Sequence, residues 1–220
     1  MKSTRVWDLP TRVFHWALAV CVIGLVVTGS TGGNAMVWHF RLGYAVFTLL
    51  LFRLVWGIIG GRWSRFASFI YAPSSIINYL KGQGHPHHMV GHNPLGAFSV
   101  FAMLAFLLAQ VATGLISDDE IAASGPLTKF VSNATVSLAS SYHSAVGKRF
   151  IIVLVLLHVV AILFYLFKKR ENLIKPMLHG DKILAHEIPA SHDDTGSRVT
   201  ATVVFAICAG LVYGLVSSVG

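Results

Sequence analysis

Charge is scarce in this sequence of 220 residues: only 12% of them are charged, while 55% are hydrophobic and the mean hydropathy is +0.67. A water-soluble domain of this size needs more surface charge, so the composition argues against that class and predicts a membrane protein. The alternation of roughly ten residues that marks outer-membrane β-barrel strands is also missing. Long apolar runs are present instead, and they predict a bundle of membrane-spanning helices.

Cysteine and acidic residues are scarce as well. Cys21 and Cys208 both fall within predicted spans, and neither belongs to a C-x-x-C pair, so a zinc knuckle, a disulfide and covalent c-type haem attachment are unsupported. The 9 acidic residues all lie outside the predicted spans. An ion or proton transporter usually keeps carboxylates at the middle of the membrane, so their absence there argues against that class.

Five apolar segments have the length of about 20 residues that a helix needs to span a bilayer. They cover residues 11–29, 37–60, 94–116, 145–167 and 199–218. The first segment lacks a small-residue cleavage pattern and is followed by further spans, so we interpret it as a retained helix and not as a signal peptide. The sequence therefore predicts an all-α membrane protein.

The distribution of basic residues predicts the orientation of these helices. Most of the 17 Lys and Arg residues fall on the side of the membrane that holds the N-terminus. Because loops on the cytoplasmic side are enriched in Lys and Arg, we expect the N-terminus in the cytoplasm and the C-terminus outside. The formal net charge of +8 then reflects topology, and nucleic-acid binding is not needed to explain it.

Four of the 11 histidines, His15, His39, His143 and His158, lie at membrane depth. An ionisable residue there is a functional hypothesis by default, although any one of the four could equally be a structural group. Between His143 and His158 an α-helix rises about 22 Å and returns the side chain to within about 60° of the same face. We therefore expect His143 level with His39 in the outer leaflet, and His158 near His15 in the inner half.

Two histidine pairs in a helical bundle suit two haem groups. Each pair can bind a haem iron from opposite faces through neutral imidazoles, which leaves no open position and favours electron transfer over chemistry on a bound molecule. We predict a bundle of membrane-spanning helices that binds two non-covalent haems, the inner one by His15 and His158 and the outer one by His39 and His143.

Basic residues near these pairs are candidates to bind the haem propionates. Arg41, Lys148 and Arg149 lie at the level of the outer pair, and Arg53 lies at the depth of the inner pair. Arg53 could equally extend its charge to the inner membrane surface. His92, at the inner surface, is a candidate contact for a haem propionate or a quinone.

Several motifs occur together in an order typical of one family. They are VWDLPTRVFHW at 6–16, HFRLGYAVFTLLLFRLVWGIIGGRWSRF at 39–66, GHNPLGAFSVFAML at 91–104, LLHVVAILFY at 156–165 and RENLIKPMLHGDK at 170–182. On these motifs the sequence resembles the bacterial cytochrome b561 family, and within it the b-type cytochrome subunits of nickel-iron hydrogenases. The resemblance implies a four-helix bundle that holds haem b, with the same four histidines as ligands. It also implies electron transfer between a soluble redox partner and the quinone pool.

The resemblance implies a transmembrane b-type cytochrome domain of residues 1–185, and residues 186–220 then form a polar linker and a fifth transmembrane helix. We expect a multi-pass protein of the bacterial inner membrane. It would carry electrons between quinone and a periplasmic partner, which could be a c-type cytochrome, a hydrogenase or another dehydrogenase. Whether it also catalyses a reaction as part of a quinone-linked oxidoreductase is left open by the sequence.

Other functions stay open at this point. The chain could serve mainly as a membrane anchor and electron outlet for a hydrogenase or another periplasmic dehydrogenase. It could be a metal-ion transporter that uses the histidines as ligands, or a self-contained oxidase or reductase. Gly210 and Gly214 have a spacing that lets helices approach closely, either in a homodimer or within the bundle. The HPHH cluster at 85–88 is interpreted as incidental loop histidines in preference to a metal site.

Overall fold

The computed structural model describes residues 2–83, 90–119 and 123–219; the HPHH cluster lies outside them. Its helices are α1 Leu9–Thr31, α2 Met36–Ile59, α3 Pro73–Leu80, α4 Pro94–Leu115, α5 Asn133–Ser141, α6 Lys148–Phe167, α7 Ile174–His179 and α8 Thr195–Ser217. Within the described ranges, five helical segments are long and apolar enough to cross a membrane, which confirms the predicted all-α membrane fold. The chain is a multi-pass membrane protein.

The fourth spanning segment differs from its prediction. Hydropathy places its start at residue 145, whereas the helical segment runs from Asn133 to Phe167. Its first part, α5, is rich in Ser and Thr, so it lacks the apolar signal of a span although it is helical. Ser132 caps this start, because its hydroxyl accepts a hydrogen bond from the backbone N–H of Thr135 at 3.2 Å. Between α5 and α6 the residues Tyr142–Gly147 form a π-helical turn.

The chain forms two compact units, and each contains parts of several spanning helices. The first unit comprises Met1–His15, Phe52–Ala102 and Leu156–Val204. The second unit comprises Trp16–Leu51, Met103–Val155 and Phe205–Gly220. Each unit contains two of the four histidines singled out by the sequence, so each is described separately.

The first unit contains a small antiparallel sheet that the sequence pattern does not reveal. Strand β1, Lys2–Arg5, pairs with β2, Asp181–Leu184. The carbonyl oxygen of Gly180 accepts hydrogen bonds from the backbone N–H groups of Val6 and Trp7, at 2.9 and 3.0 Å. Gly180 has a φ of 93°, a left-handed conformation that a residue with a side chain rarely adopts. This sheet fixes the N-terminal segment that leads into α1.

An ion-pair cluster joins the same segment to the start of α8. The carboxylate of Asp193 accepts a hydrogen bond from the backbone N–H of Leu9 at 3.1 Å, at the N-terminus of α1. It also pairs with the guanidinium groups of Arg5 and Arg198. Asp193 therefore connects the segment before α8 to the N-terminal segment of the first unit.

Candidate functional site

The first unit brings His15 and His158 together. His15 lies on α1 and His158 on α6, and their ring centroids are 6.3 Å apart with an angle of 53° between the ring planes. The pairing that the sequence predicts for these two residues is thus present as a close contact between two helices. Both side chains are half-buried.

The second unit brings His39 and His143 together in the same way. His39 lies on α2 and His143 in the π-helical turn, and their ring centroids are 6.0 Å apart with the planes at 84°. The Nδ1 atom of His143 lies 2.9 Å from the carbonyl oxygen of Gln110, and that of His39 lies 3.2 Å from the carbonyl oxygen of Leu25. A carbonyl oxygen only accepts hydrogen bonds, so each Nδ1 carries the proton and donates. The Nε2 atom of each ring is left with the lone pair that a metal needs.

A cavity of about 630 Å³ lies beside the second pair and is lined in part by His39 and His143. Each ring packs against a glycine that also lines the cavity. A Cβ atom on Gly29 would lie 2.8 Å from Cε1 of His39, and one on Gly114 would lie 2.7 Å from Cε1 of His143. A Cβ on Gly43, in contrast, would meet nothing within 4 Å and would project into open space. The glycines thus make room for the rings and for the cavity.

Arg53 is buried in the first unit, where only 3% of it is exposed. Its Nη1 atom donates a hydrogen bond to the carbonyl oxygen of Ser64 at 2.9 Å, and its guanidinium lies 4.7 Å from the ring centroid of Phe66. Burying a cation is costly unless it is paired or hydrogen-bonded. A bound anion such as a propionate would complete its surroundings.

Asp8 is a buried acid that the sequence analysis did not single out. It is fully buried, and its carboxylate accepts hydrogen bonds from the backbone N–H groups of Thr11 at 2.8 Å and Gly61 at 3.0 Å. It also accepts from the hydroxyl of Ser64 at 2.9 Å and the indole N–H of Trp56 at 3.3 Å. The available sequence signal was an acid followed two residues later by Pro10, because acids cap helix starts and proline is favoured in the first turn.

The predicted basic residues of the second unit differ in their positions. Lys148 lines the cavity, and its Nζ donates to the hydroxyl of Ser30 at 3.2 Å. Arg41 lies over the ring of Trp38, with 5.0 Å from Cζ to the ring centroid. Arg41 and Arg149 are both exposed, and neither is among the residues that line the cavity. The structure therefore brings only Lys148 of these three basic residues to the site.

The family model described as prokaryotic cytochrome b561 matches residues 6–180 of this chain. The chain belongs to the prokaryotic cytochrome b561 family. The resemblance noted in the sequence is thereby confirmed, and membership of this b-type cytochrome family implies haem b as the cofactor.

Curated relatives of this cytochrome carry consistent names. A probable Ni/Fe-hydrogenase B-type cytochrome subunit of Cupriavidus necator is 26% identical over 214 residues, covering 82% of this chain and 87% of the relative. A probable Ni/Fe-hydrogenase B-type cytochrome subunit of Rhizobium leguminosarum bv. viciae is 24% identical over 217 residues, which cover 83% of this chain and 90% of the relative. A probable Ni/Fe-hydrogenase 1 B-type cytochrome subunit of Escherichia coli K12 is 28% identical over 138 residues, which cover 51% of this chain and 59% of the relative.

The spacing of both histidine pairs fits a haem between the rings. Two metal–imidazole bonds of about 2.0 Å, with roughly 1 Å from each nitrogen to its ring centre, place two opposed imidazole centroids about 6 Å apart. The observed separations are 6.3 and 6.0 Å. Among the described residues no group of three or more His, Cys, Asp or Glu side chains could hold a metal ion. The donor sets thus suit axial ligation of haem better than binding of a free metal ion.

His92 lies in the first unit between two aromatic rings. Its ring centroid is 4.7 Å from that of Trp7 and 4.5 Å from that of Phe69. Its Nδ1 atom is buried, and no described residue offers it a hydrogen-bond partner. Burial, with the nearby Arg53 cation as a smaller cause, lowers the pKa of His92 to about 3. The side chain is therefore neutral at pH 7 and has one nitrogen available to an additional group.

Proposed function

We propose that this cytochrome binds two haems and carries electrons across the bacterial inner membrane between a periplasmic redox partner and quinone. The observation that best supports two haems is the similar spacing of the two histidine pairs, 6.3 Å for His15–His158 and 6.0 Å for His39–His143. Membership of a b-type cytochrome family supports haem b as the group bound at each pair.

The haem iron, when bound, supplies one-electron chemistry, and the protein residues hold and orient it. At each site two histidine imidazoles would bind the iron, which would leave no position open to oxygen or to a substrate. In the His39–His143 pair, the carbonyl oxygens of Leu25 and Gln110 hold the Nδ1 protons, which fixes the tautomer and raises the basicity of Nε2. This arrangement favours rapid electron transfer with little change of ligand geometry.

Positive charge near each pair would neutralise the propionates. Lys148 is the candidate at the cavity of the second unit, whereas Arg41 and Arg149 are exposed, do not line the cavity and stay candidates on predicted depth alone. Arg53 is the corresponding candidate in the first unit. His92 would contact a propionate or a quinone through its buried Nδ1 atom.

The orientation and the domain division are part of the same proposal. The excess of Lys and Arg on the N-terminal side supports a cytoplasmic N-terminus and a periplasmic C-terminus. His39 and His143 would then accept or deliver electrons at the periplasmic side, and His15 and His158 would exchange them with quinone nearer the cytoplasm. Residues 1–185 would hold both haems, and residues 186–220 would add the fifth helix.

A hydrogenase is the periplasmic partner that the comparisons favour. The relatives named above are described as B-type cytochrome subunits of Ni/Fe-hydrogenases. The chain would then also act as the membrane anchor and electron outlet of that enzyme. A c-type cytochrome or another dehydrogenase is the alternative partner, and co-purification of a large subunit with the tagged chain distinguishes them. Family membership and the two-histidine donor sets argue against a metal-ion transporter.

Electron transfer across a membrane tests the proposal. The haem-loaded protein is placed in vesicles with ferricyanide trapped inside and quinol or a membrane-impermeant reductant outside. We expect the trapped ferricyanide to be reduced in vesicles that contain the protein and not in empty vesicles. In the His15→Ala variant the remaining haem should still be reducible, but the transfer to the trapped oxidant should stop. Transfer at an unchanged rate in that variant would contradict a path through both haems.

A further inference from the structure

Gln110 and His143 bind each other through two hydrogen bonds that run in opposite directions. The Nδ1–H of His143 donates to the backbone carbonyl of Gln110 at 2.9 Å. The side-chain Nε2 of Gln110 donates back to the backbone carbonyl of His143 at 2.8 Å. One glutamine of α4 thus holds both the ring and the backbone of a histidine on a different helical segment.

The backbone around His143 explains why such a partner is useful. Tyr142–Gly147 is π-helical, and π-helical turns inserted into α-helices interrupt the usual hydrogen-bond ladder and occur mostly at functional sites. A side-chain donor that binds the His143 carbonyl stabilises this turn. Gly147 leaves the space for that donor, because a Cβ atom there would collide with Oε1 of Gln110.

Stability alone gives little reason for a glutamine at this position. The rest of α4 is almost entirely apolar, and Gln110 is half-buried and lines the cavity. Its Oε1 atom is buried and finds no hydrogen-bond partner among the described residues. A buried acceptor left unsatisfied costs about 1–3 kcal/mol, which offsets what the bond from Nε2 to the His143 carbonyl contributes. The amide at this position therefore points to a role at the site.

We propose that Gln110 is a positioning residue that fixes the orientation of the His143 imidazole and thereby tunes the haem bound by His39 and His143. The inference rests on the proposed function, since it concerns the second of the two haems. The ring itself bonds the backbone carbonyl of residue 110, whereas the side-chain amide of Gln110 holds the His143 backbone from which the ring projects. Removing the amide should therefore let the backbone shift and change the ring's alignment with that carbonyl, and such contacts set the orientation of a metal-bound histidine and the basicity of its bound nitrogen. Both quantities contribute to the reduction potential of a haem and to the electron paramagnetic resonance signal of its ferric form.

The test uses Gln110→Leu, which removes the amide but keeps a side chain of similar bulk. The haem-loaded variant is studied by redox titration and by electron paramagnetic resonance. It is studied alone and in combination with His15→Ala, which leaves only the second haem. We expect both haems to be retained. The signal of the second haem should broaden and move, its midpoint potential should shift, and the first haem should be unchanged.

Two further variants test whether the length of the side chain at residue 110 and its position beside His143 matter. Gln110→Asn keeps the amide but is one methylene too short to reach the His143 carbonyl, so it should behave like Gln110→Leu. Thr48→Val is the matched control: Thr48 is also a buried polar residue of a spanning helix in the second unit, but its hydroxyl donates to the Tyr44 carbonyl of its own helix at 3.0 Å. It should leave both haems unchanged.

The outcomes separate this inference from the proposed function. If the unsubstituted protein binds no haem, the proposed function fails and the inference fails with it. If it binds two haems and Gln110→Leu leaves both potentials and both signals unchanged, only the role of Gln110 is refuted. Equal shifts of both haems, or a normal second haem in Gln110→Asn, would also refute it.

Discussion

The two histidine pairs have nearly the same spacing but very different surroundings. Near His15 and His158 the first unit buries polar and charged side chains, among them Asp8 and Arg53. The rings of His39 and His143 in the second unit instead pack on glycines, donate to backbone carbonyls and border a cavity. The first unit is thus distinguished by buried charged side chains, whereas backbone contacts and shape hold the rings of the second pair.

Because of this difference, the reduction potentials of the two haems should be set by different kinds of contact. A buried charge acts on a haem through its electric field, which is strong where water is excluded. Backbone hydrogen bonds act through the ligand itself, because they set its orientation and basicity. We therefore expect the first haem to respond to substitutions of charged residues and the second to substitutions that move a ring.

The largest expected effect is the loss of one haem on removal of either histidine of a pair. His39→Ala and His143→Ala should each lower the haem content from two per chain to one, and should remove the same haem. His15→Ala and His158→Ala should each remove the other one. Haem content per chain and the redox titration of the remaining centre provide the measurement. A folded single variant that lost both haems would show that the two sites are not independent.

Asp8→Ala should destabilise the first unit most strongly among substitutions away from the histidines. It leaves the indole of Trp56, the N–H of Gly61 and the hydroxyl of Ser64 without their acceptor, and each unsatisfied buried group costs about 1–3 kcal/mol. We expect the free energy of unfolding to fall by about 3 kcal/mol, measured by denaturation in mixed detergent.

Asp8→Asn is the matched variant for this prediction. It keeps one acceptor oxygen and the shape of the side chain, so its loss of stability should be smaller. The haem at His15 and His158 should become easier to lose in Asp8→Ala, while the haem at His39 and His143 should stay bound. Equal loss of both haems would argue that the network is not local to the first unit.

Gly43→Leu should block the cavity of the second unit. Gly43 lines the cavity and a Cβ there meets nothing within 4 Å, so the added side chain would extend into the cavity. We expect the occupancy of the second haem to fall by more than half, with the first haem retained. Gly210→Leu is the control, because Gly210 on α8 has equally open surroundings but does not line the cavity. Normal haem content in Gly43→Leu would place the haem elsewhere.

The smallest expected effect is that the free energy of unfolding depends on pH because His92 is protonated more easily in the unfolded chain. Its pKa is about 3 in the folded protein, mainly because of burial, and near 6.5 when unfolded. The unfolded state therefore binds more protons between these values, and stability is complete above about pH 6.5 and falls as the pH is lowered. At pH 5 the free energy of unfolding should be roughly 1–2 kcal/mol lower than at pH 7.

His92→Phe tests that assignment, since a phenyl ring can still pack between Trp7 and Phe69 but cannot be protonated. The free energy of unfolding, measured at several values between pH 7 and pH 5, should fall less steeply in this variant than in the unsubstituted protein. Identical slopes would show that another group carries the pH dependence.

The spanning helices and the four histidines were predictable because their signals are local. Long apolar runs identify the helices, and an imidazole within such a run is conspicuous. The helical start at Asn133 was missed, since Ser and Thr there hide a helix from hydropathy. The β1–β2 sheet was missed for a different reason: each strand has four residues, and its partner is far away in the sequence.

The surroundings of the histidines were harder to predict than the histidines themselves. The role of Gln110 depends on a π-helical turn in another segment, which no local pattern reveals. Arg41 and Arg149 were placed by depth alone, and depth does not determine which face of a helix a residue occupies. The burial of Arg53 depends on the ring of Phe66 and the carbonyl of Ser64, which fold back against α2.

The central claim is that one chain holds two haems, each between two histidines. It is tested most directly by the haem content per polypeptide of the detergent-purified protein, measured with the reduced-minus-oxidised spectrum. We predict a b-type spectrum with two haems per chain, both six-coordinate and low-spin and neither binding carbon monoxide. Folded protein without haem, or with a single haem that survives replacement of any one of the four histidines, would contradict the account.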